Sequence, residues 1–205
     1  MSAPPIYRGT GPRSRLASRA GARARRRRHE RFFSLTGVGP GHRVVDLGCG
    51  SAGLRALAPA LDVTGVDRVE RPGYPGPFVV ADVTRPLPFA DDEFDLAYAS
   101  SLIEHLPPDA RPGFAAEVRR VARGFYVQTP AFSFPVEPHA LLPFVHWLPA
   151  GPRRALWGLG VGGDPDDRLL RRGELGALFG VEPRAERVGP LAKSWIALRP
   201  VEPRR

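Results

Sequence analysis

Through the middle of the chain, short apolar runs end in a carboxylate or hydroxyl and give way to glycine, proline or helical patterning. Arg43-Val-Val-Asp-Leu47 is a β-branched run closed by Gly48-Cys-Gly50, and helix formers follow from Leu54 to Ala60. Asp62 to Asp67, Phe78 to Val83, Phe94 to Ala99 and Phe125 to Thr129 repeat the apolar run. Between the last two, Pro107 and Pro108 open a helical pattern with Phe114, Val118 and Val121 on one face. Strands alternating with helices at this spacing predict an α/β, doubly wound, mostly parallel sheet that carries ligands at the carboxyl ends of its strands. Residues 164–180 predict a loop entering a helix, and Glu182 to Val188 with Ser194 to Leu198 predict a terminal antiparallel pair.

Asp46, Asp67, Asp82 and Ser100 all fall at strand ends, a placement that packing alone does not explain. Gly48 and Gly50 let backbone N–H groups approach a ligand with no Cβ in the way, and Asp46 is placed to face the same ligand. Asp67 lies 19 residues after Gly48, the separation at which a carboxylate ending the second strand accepts both ribose hydroxyls. Gly48-x-Gly50-x-x-Gly53 also fits the dinucleotide fingerprint, so the loop alone does not choose the cofactor.

Charge changes the picture only at the N-terminus. Residues 1–31 hold ten Arg and one acidic residue, Glu30; the remaining 174 residues hold 20 basic and 20 acidic groups and are neutral. This predicts a basic, partly disordered arm over residues 1–31, a domain over 32–200 and a loose tail at 201–205. The arm is a solvated lead-in to a helix packing Phe32, Phe33 and Leu35, or an electrostatic handle for phosphate on RNA or an anionic membrane. Nucleic acid through residues 13–31 is the less favoured partner, since the body is neutral. Cys49 is the sole cysteine, which suits a reducing compartment, and no apolar run has the roughly 18 residues a membrane span needs. A cytoplasmic monomer or homodimer is expected.

Val44-Val-Asp-Leu-Gly-Cys-Gly50, Val66-Asp67, Ala81-Asp82, Leu87-Pro-Phe89 with Phe94-Asp95, and Ser101-Leu-Ile-Glu-His-Leu106 together resemble the class I S-adenosylmethionine-dependent methyltransferases of the type 11 group. Ala192-Lys-Ser-Trp-Ile-Ala-Leu-Arg199 looks like that family's last strand. The resemblance implies a Rossmann-like, seven-stranded sheet with an antiparallel last strand, and S-adenosyl-L-methionine as cofactor. It would place Gly48, Cys49 and Gly50 along the methionine and ribose, and Asp67 on the ribose diol. Asp82 and the Val83 backbone would take the adenine amino group, with Arg68, Ser100 and Ser101 beside them. Asp46 agrees, since a carboxylate tolerates a cationic sulfonium where it would repel a pyrophosphate. A glycine often found two residues after Gly50 is Ala52 here, which is small enough for binding to survive.

Some relatives place a carboxylate three residues before the Glu-His pair as part of a divalent-metal site, but Ser101 stands there. Glu104 and His105 alone are too few ligands, so no metal is expected. Residues 130–163 are rich in proline and aromatics and form an insertion where the family builds its acceptor site. They predict a stiffened lid that serves as an apolar acceptor pocket, a hydrophobic plug, a dimer surface or a membrane-facing patch. Phe132, Glu137, His139 and Trp147 are its candidate acceptor contacts, and His105, His139 and His146 the candidate general bases. The leading expectation is methyl transfer to an apolar small-molecule acceptor. An RNA or protein acceptor using the arm, and a non-catalytic cofactor-binding module, are the alternatives.

Overall fold

The structure is a computed structural model, described over residues 30–161 and 163–201. The expected disorder of residues 1–29 and of 202–205 lies outside the described residues. Residues 30–36 are helical (α1). Then follow β1 (Arg43–Leu47), α2 (Gly53–Leu57), β2 (Asp62–Asp67), β3 (Phe78–Val80), β4 (Phe94–Ser100), α3 (Arg111–Val121), β5 (Ala122–Pro130), α4 (Ala150–Trp157), α5 (Arg172–Phe179), β6 (Arg184–Val188) and β7 (Leu191–Arg199).

The seven strands form one sheet in the order β3-β2-β1-β4-β5-β7-β6. β1 to β5 pair in parallel, and β7 runs antiparallel to both β5 and β6. Central parallel strands are covered on both faces, so they must be apolar throughout, and β4 is buried from Phe94 to Ala99. One face carries Phe114 and Val118 of α3 with Leu175 and Phe179 of α5, packed on Val45, Ala97, Phe125 and Val127. The other carries Phe32 of α1 with Leu54 and Ala58, packed on Val44, Leu96, Tyr98, Tyr126 and Ile196. Phe32 lies edge-on to Tyr98 and Tyr126, at 5.3 and 5.4 Å between ring centroids.

β5 and β7 run longer at both ends than the pattern-based expectation and β6 starts two residues later, while three further boundary shifts have a local reason. α2 stops at Leu57 rather than Ala60, because Pro59 disfavours helical backbone at Ala58, which is non-helical (φ −134°). α3 starts at Arg111, since Pro107 to Ala110 closes a separate turn through Ala110 N–H to Pro107 C=O at 3.0 Å. β3 ends at Val80, and the Ala81 N–H makes one further bond to Asp67 C=O at 3.0 Å before the chain turns. Asp82 therefore sits on the turn beyond the strand.

The 130–163 segment has its own small core of Ala140, Val145 and Trp157, separate from the two sheet cores. A Val136–Pro143 bridge, a 3₁₀ turn at Val145–Trp147 and α4 make up its framework. Among the described residues no helix is long and apolar enough to cross a membrane.

Candidate functional site

The loop after β1 doubles back at once: the Gly48 and Cys49 N–H groups both reach Val66 C=O, at 2.8 and 3.1 Å. Gly48 and Gly50 adopt φ of +70° and +58°, a region that favours glycine. Gly53 is required by contact, because a Cβ there would lie 2.1 Å from Asp46 Oδ2.

That contact shows what Asp46 does. It is 2% exposed, and its Oδ2 accepts the Leu54 N–H at 2.6 Å. The first N–H groups of a helix lack intrahelical partners, and Asp46 satisfies one of them from below the loop. Its carboxylate braces the loop. Burial pushes its pKa up to about 7. Cys49 also turns inward, against Gly65, where a Cβ would meet its Sγ at 2.8 Å. Burial, followed by the charges of Asp46 and Asp67, pushes its thiol up to about 12. Only the backbone of Cys49 is left toward the cleft.

Asp67 is the hub of the second strand end. Its Oδ2 accepts from Gly50 N–H at 3.1 Å and from Arg71 Nη2 at 3.1 Å, and its Oδ1 accepts from Val69 N–H at 3.1 Å. Arg71 thus holds the carboxylate expected to bind a ribose diol. Asp82 is exposed, and Thr84 N–H and Oγ1 bond its Oδ1 at 2.9 and 2.8 Å, which lowers its pKa. Its other oxygen is open to an amino group. Val83 is buried behind it, and Arg68 is exposed. The glycine turn, Asp67 and Asp82 therefore lie on consecutive strand ends of one sheet edge, with the donor and acceptor types an adenosyl group requires.

Beyond β4 the edge becomes a cavity of about 260 Å³, lined by Ser101, Gln128, Pro130, Ala131, Phe134, Val136, Pro138, Leu141, Lys193 and Ser194. The Ser100 hydroxyl donates to Gln128 Oε1 at 2.6 Å and so supports the lining from β4. Ser101, at φ +53°, reaches the lining.

Three of the four expected acceptor contacts lie elsewhere, and His139 adjoins the wall without lining it. Phe132 stacks beneath the Arg171 guanidinium at 4.2 Å, and its C=O accepts from Trp147 Nε1 at 2.8 Å and from His146 Nε2 at 3.0 Å. Trp147 is 45% exposed. Glu137 is 1% exposed and turned onto its own loop, accepting from His139 N–H at 2.8 Å and from His139 Nδ1 at 2.9 Å. Phe134, Val136, Pro138 and Leu141 take the places that sequence reading gave to Phe132, Glu137 and Trp147. Composition marks this segment as apolar, but a loop without periodicity gives no sign of which side chains turn inward. Gln128 and Ser194 have a signal: both are polar residues that adjoin the apolar runs Phe125 to Val127 and Trp195 to Leu198 of their strands.

His146 does not line this cavity. It is buried, its pKa is lowered by desolvation, and it ties two parts of the lid together through Phe132 C=O. His105 and His139 instead come together, 4.8 Å apart between ring centroids, beside the buried Glu104. His139 supplies the further ligand type that the Glu104-His105 pair lacks in sequence, so the ground for expecting no metal is removed.

The seven-stranded, doubly wound sheet with an antiparallel β7 and a glycine turn feeding acidic strand ends is a Rossmann-like fold. Residues 45–124 match the family described as "Methyltransferase domain". The chain is 36% identical over 114 residues to a protein of Oryza sativa subsp. japonica named cycloartenol-C-24-methyltransferase 1, covering 47% of this chain and 32% of that protein. The chain thus spans about a third of that relative's length. Among solved structures, a 1,6-didemethyltoxoflavin-N1-methyltransferase of Burkholderia thailandensis, with bound 1,6-didemethyltoxoflavin and S-adenosylhomocysteine, aligns with a TM-score of 0.55. It is 16% identical and covers 95% of this chain and 92% of its own. A SAM dependent methyltransferase from Archaeoglobus fulgidus also aligns with a TM-score of 0.55, at 20% identity over 79% of this chain and 67% of its own. At these identities the solved structures show the fold.

Proposed function

We propose that the chain binds S-adenosyl-L-methionine along the strand ends of β1, β2 and β3 and methylates an apolar small molecule held in the cavity beyond β4 and β5. The observation that carries this reading is the single edge on which Gly48, Gly50, Asp67 and Asp82 precede that cavity. When bound, the cofactor supplies an electrophilic methyl on a cationic sulfonium. The chain's own part is to hold, orient and dehydrate. Gly48 and Gly50 offer close backbone approach, Asp82 accepts an amino group through its free oxygen, and Asp67 exchanges Arg71 for a diol.

The cavity wall of Pro130, Phe134, Val136, Pro138 and Leu141 favours an apolar body, and Gln128, Lys193 and Ser194 offer polar handles. The name of the Oryza relative, which specifies cycloartenol, supports an apolar acceptor. Fixing an acceptor against a methyl group can contribute roughly 7–11 kcal/mol in the best intramolecular comparisons.

Calorimetric titration with S-adenosylmethionine and, separately, NADH tests the reading. Binding of the first alone is expected, with Asp67→Ala and Asp82→Ala each weakening it about tenfold or more, the loss of about one hydrogen bond to a charged group. Unchanged affinity in both variants would overturn the cofactor placement.

A further inference from the structure

The turn Ile103–His105 after β4 carries Glu104 into the protein, where it is 1% exposed. Glu104 Oε2 accepts the Thr129 hydroxyl at 2.9 Å, whereas the buried Oε1 has no hydrogen-bond partner among the described residues. A buried carboxylate oxygen without a donor is costly, and such orphans ask for an explanation. His139 Nε2 stands 3.9 Å from Glu104 Oε1, too far for a hydrogen bond.

Both imidazoles are oriented through their other nitrogen. His105 Nδ1 meets Asp167 Oδ1 at 2.9 Å, and His139 Nδ1 meets Glu137 Oε1 at 2.9 Å. An imidazole that gives its Nδ1 proton to a carboxylate presents a lone pair at Nε2, the form that ligates metal, and a carboxylate behind each ligating histidine is the usual support. One ligand atom from each of Glu104, His105 and His139 fall within 4.8 Å of one another. Ligand atoms on a tetrahedral zinc are about 3.3 Å apart, given bonds of about 2.0–2.2 Å. Small rotations of the two rings close the difference. The participants come from the turn after β4, from β5, from the lid and from the loop before α5, so the cluster is not an accident of neighbours in sequence.

We propose that Glu104, His105 and His139 bind one divalent transition-metal ion of the zinc type, with Asp167 and Glu137 orienting the two histidines. Two imidazoles and one carboxylate suit zinc better than magnesium or calcium, which take all-oxygen sites. Three protein ligands leave a fourth position open. Ser101 and Pro138, close in sequence to the ligands, line the acceptor cavity. A hydroxyl taking that position would be acidified; this use rests on the methyl-transfer reading, while the metal site itself does not.

Titration of the chelator-treated full chain with Zn²⁺ tests the site, with Co²⁺ absorption reporting the ligand set. One ion per chain is expected. His105→Ala and His139→Ala should each weaken binding by a hundredfold or more, and Asp167→Asn by about 10–100-fold. His105 is half-exposed, so its variant keeps the test sound even if a Glu104→Gln chain fails to fold. No stoichiometric Zn²⁺ binding, or binding unchanged in folded His105→Ala and His139→Ala chains, would overturn the site. Titration of the same metal-free samples with S-adenosylmethionine separates this outcome from failure of the cofactor reading.

Discussion

At the scale of single residues, Asp46 carries the clearest consequence. It lies in an apolar strand, is 2% exposed, and has its pKa pushed up to about 7 by burial. The native state therefore holds a proton that the unfolded chain, near 3.8, has released. Between about pH 4 and 7 the native state binds more protons, so stability is greatest below that window and falls as pH rises through it. The total is on the order of 4 kcal/mol for a shift of about three units. Urea unfolding at pH 5 and pH 7.5 spans roughly 2–3 kcal/mol of this total and should show that loss in the native sequence and a smaller loss in Asp46→Asn; equal losses would sink the account. Sequence spacing located Asp46 but not its task. Whether a strand-end carboxylate looks outward to a ligand or downward to the next helix depends on how tightly Gly53 lets the loop fold, and that is a three-dimensional property.

At the scale of elements, the core strands were legible because parallel strands buried on both faces must be apolar runs with polar ends. β1, β2 and β4 lie where the pattern placed them, and the shifts fall at ends governed by proline or by a single hydrogen bond and at the limits of β5, β6 and β7. The lid was legible as an apolar insertion and no further. Its inward residues, and the approach of His139 to Glu104, depend on a loop path that Glu137 organises. That path is tight: Leu141 and Phe144 are both held at positive φ, +56° and +59°, which is costly for side chains of this size. The lid's core is separate from the sheet's, so its loss should be local. Trp157→Ala should raise the rate of proteolysis within residues 140–163 several-fold while shifting the global melting temperature by only about 1–3 °C, against the 3–5 kcal/mol such a truncation costs in a main core. A large global shift would show that lid and sheet unfold together.

At the scale of the whole molecule, α1 and β7 close the fold from opposite ends of the described chain. Val201 N–H bonds Thr36 C=O at 2.8 Å, and Arg31 donates to Ala185 C=O at 2.7 Å. Phe32, at 2% exposure, fills the space between them and the sheet. Phe32→Ala should destabilise the protein by about 3–5 kcal/mol in urea unfolding followed by circular dichroism; a loss under about 1 kcal/mol would mean that α1 is an appendage.

The sheet order has one further implication, for synthesis. Of the described strands β7 is the last the ribosome delivers, yet it sits inside the sheet, between β5 and β6. Until Leu191–Arg199 emerges, the Phe125–Pro130 stretch of β5 is an unpaired, apolar edge, and open edges of that kind recruit other chains. A chain cut short before Leu191 should collect in inclusion bodies rather than persist as a smaller folded domain.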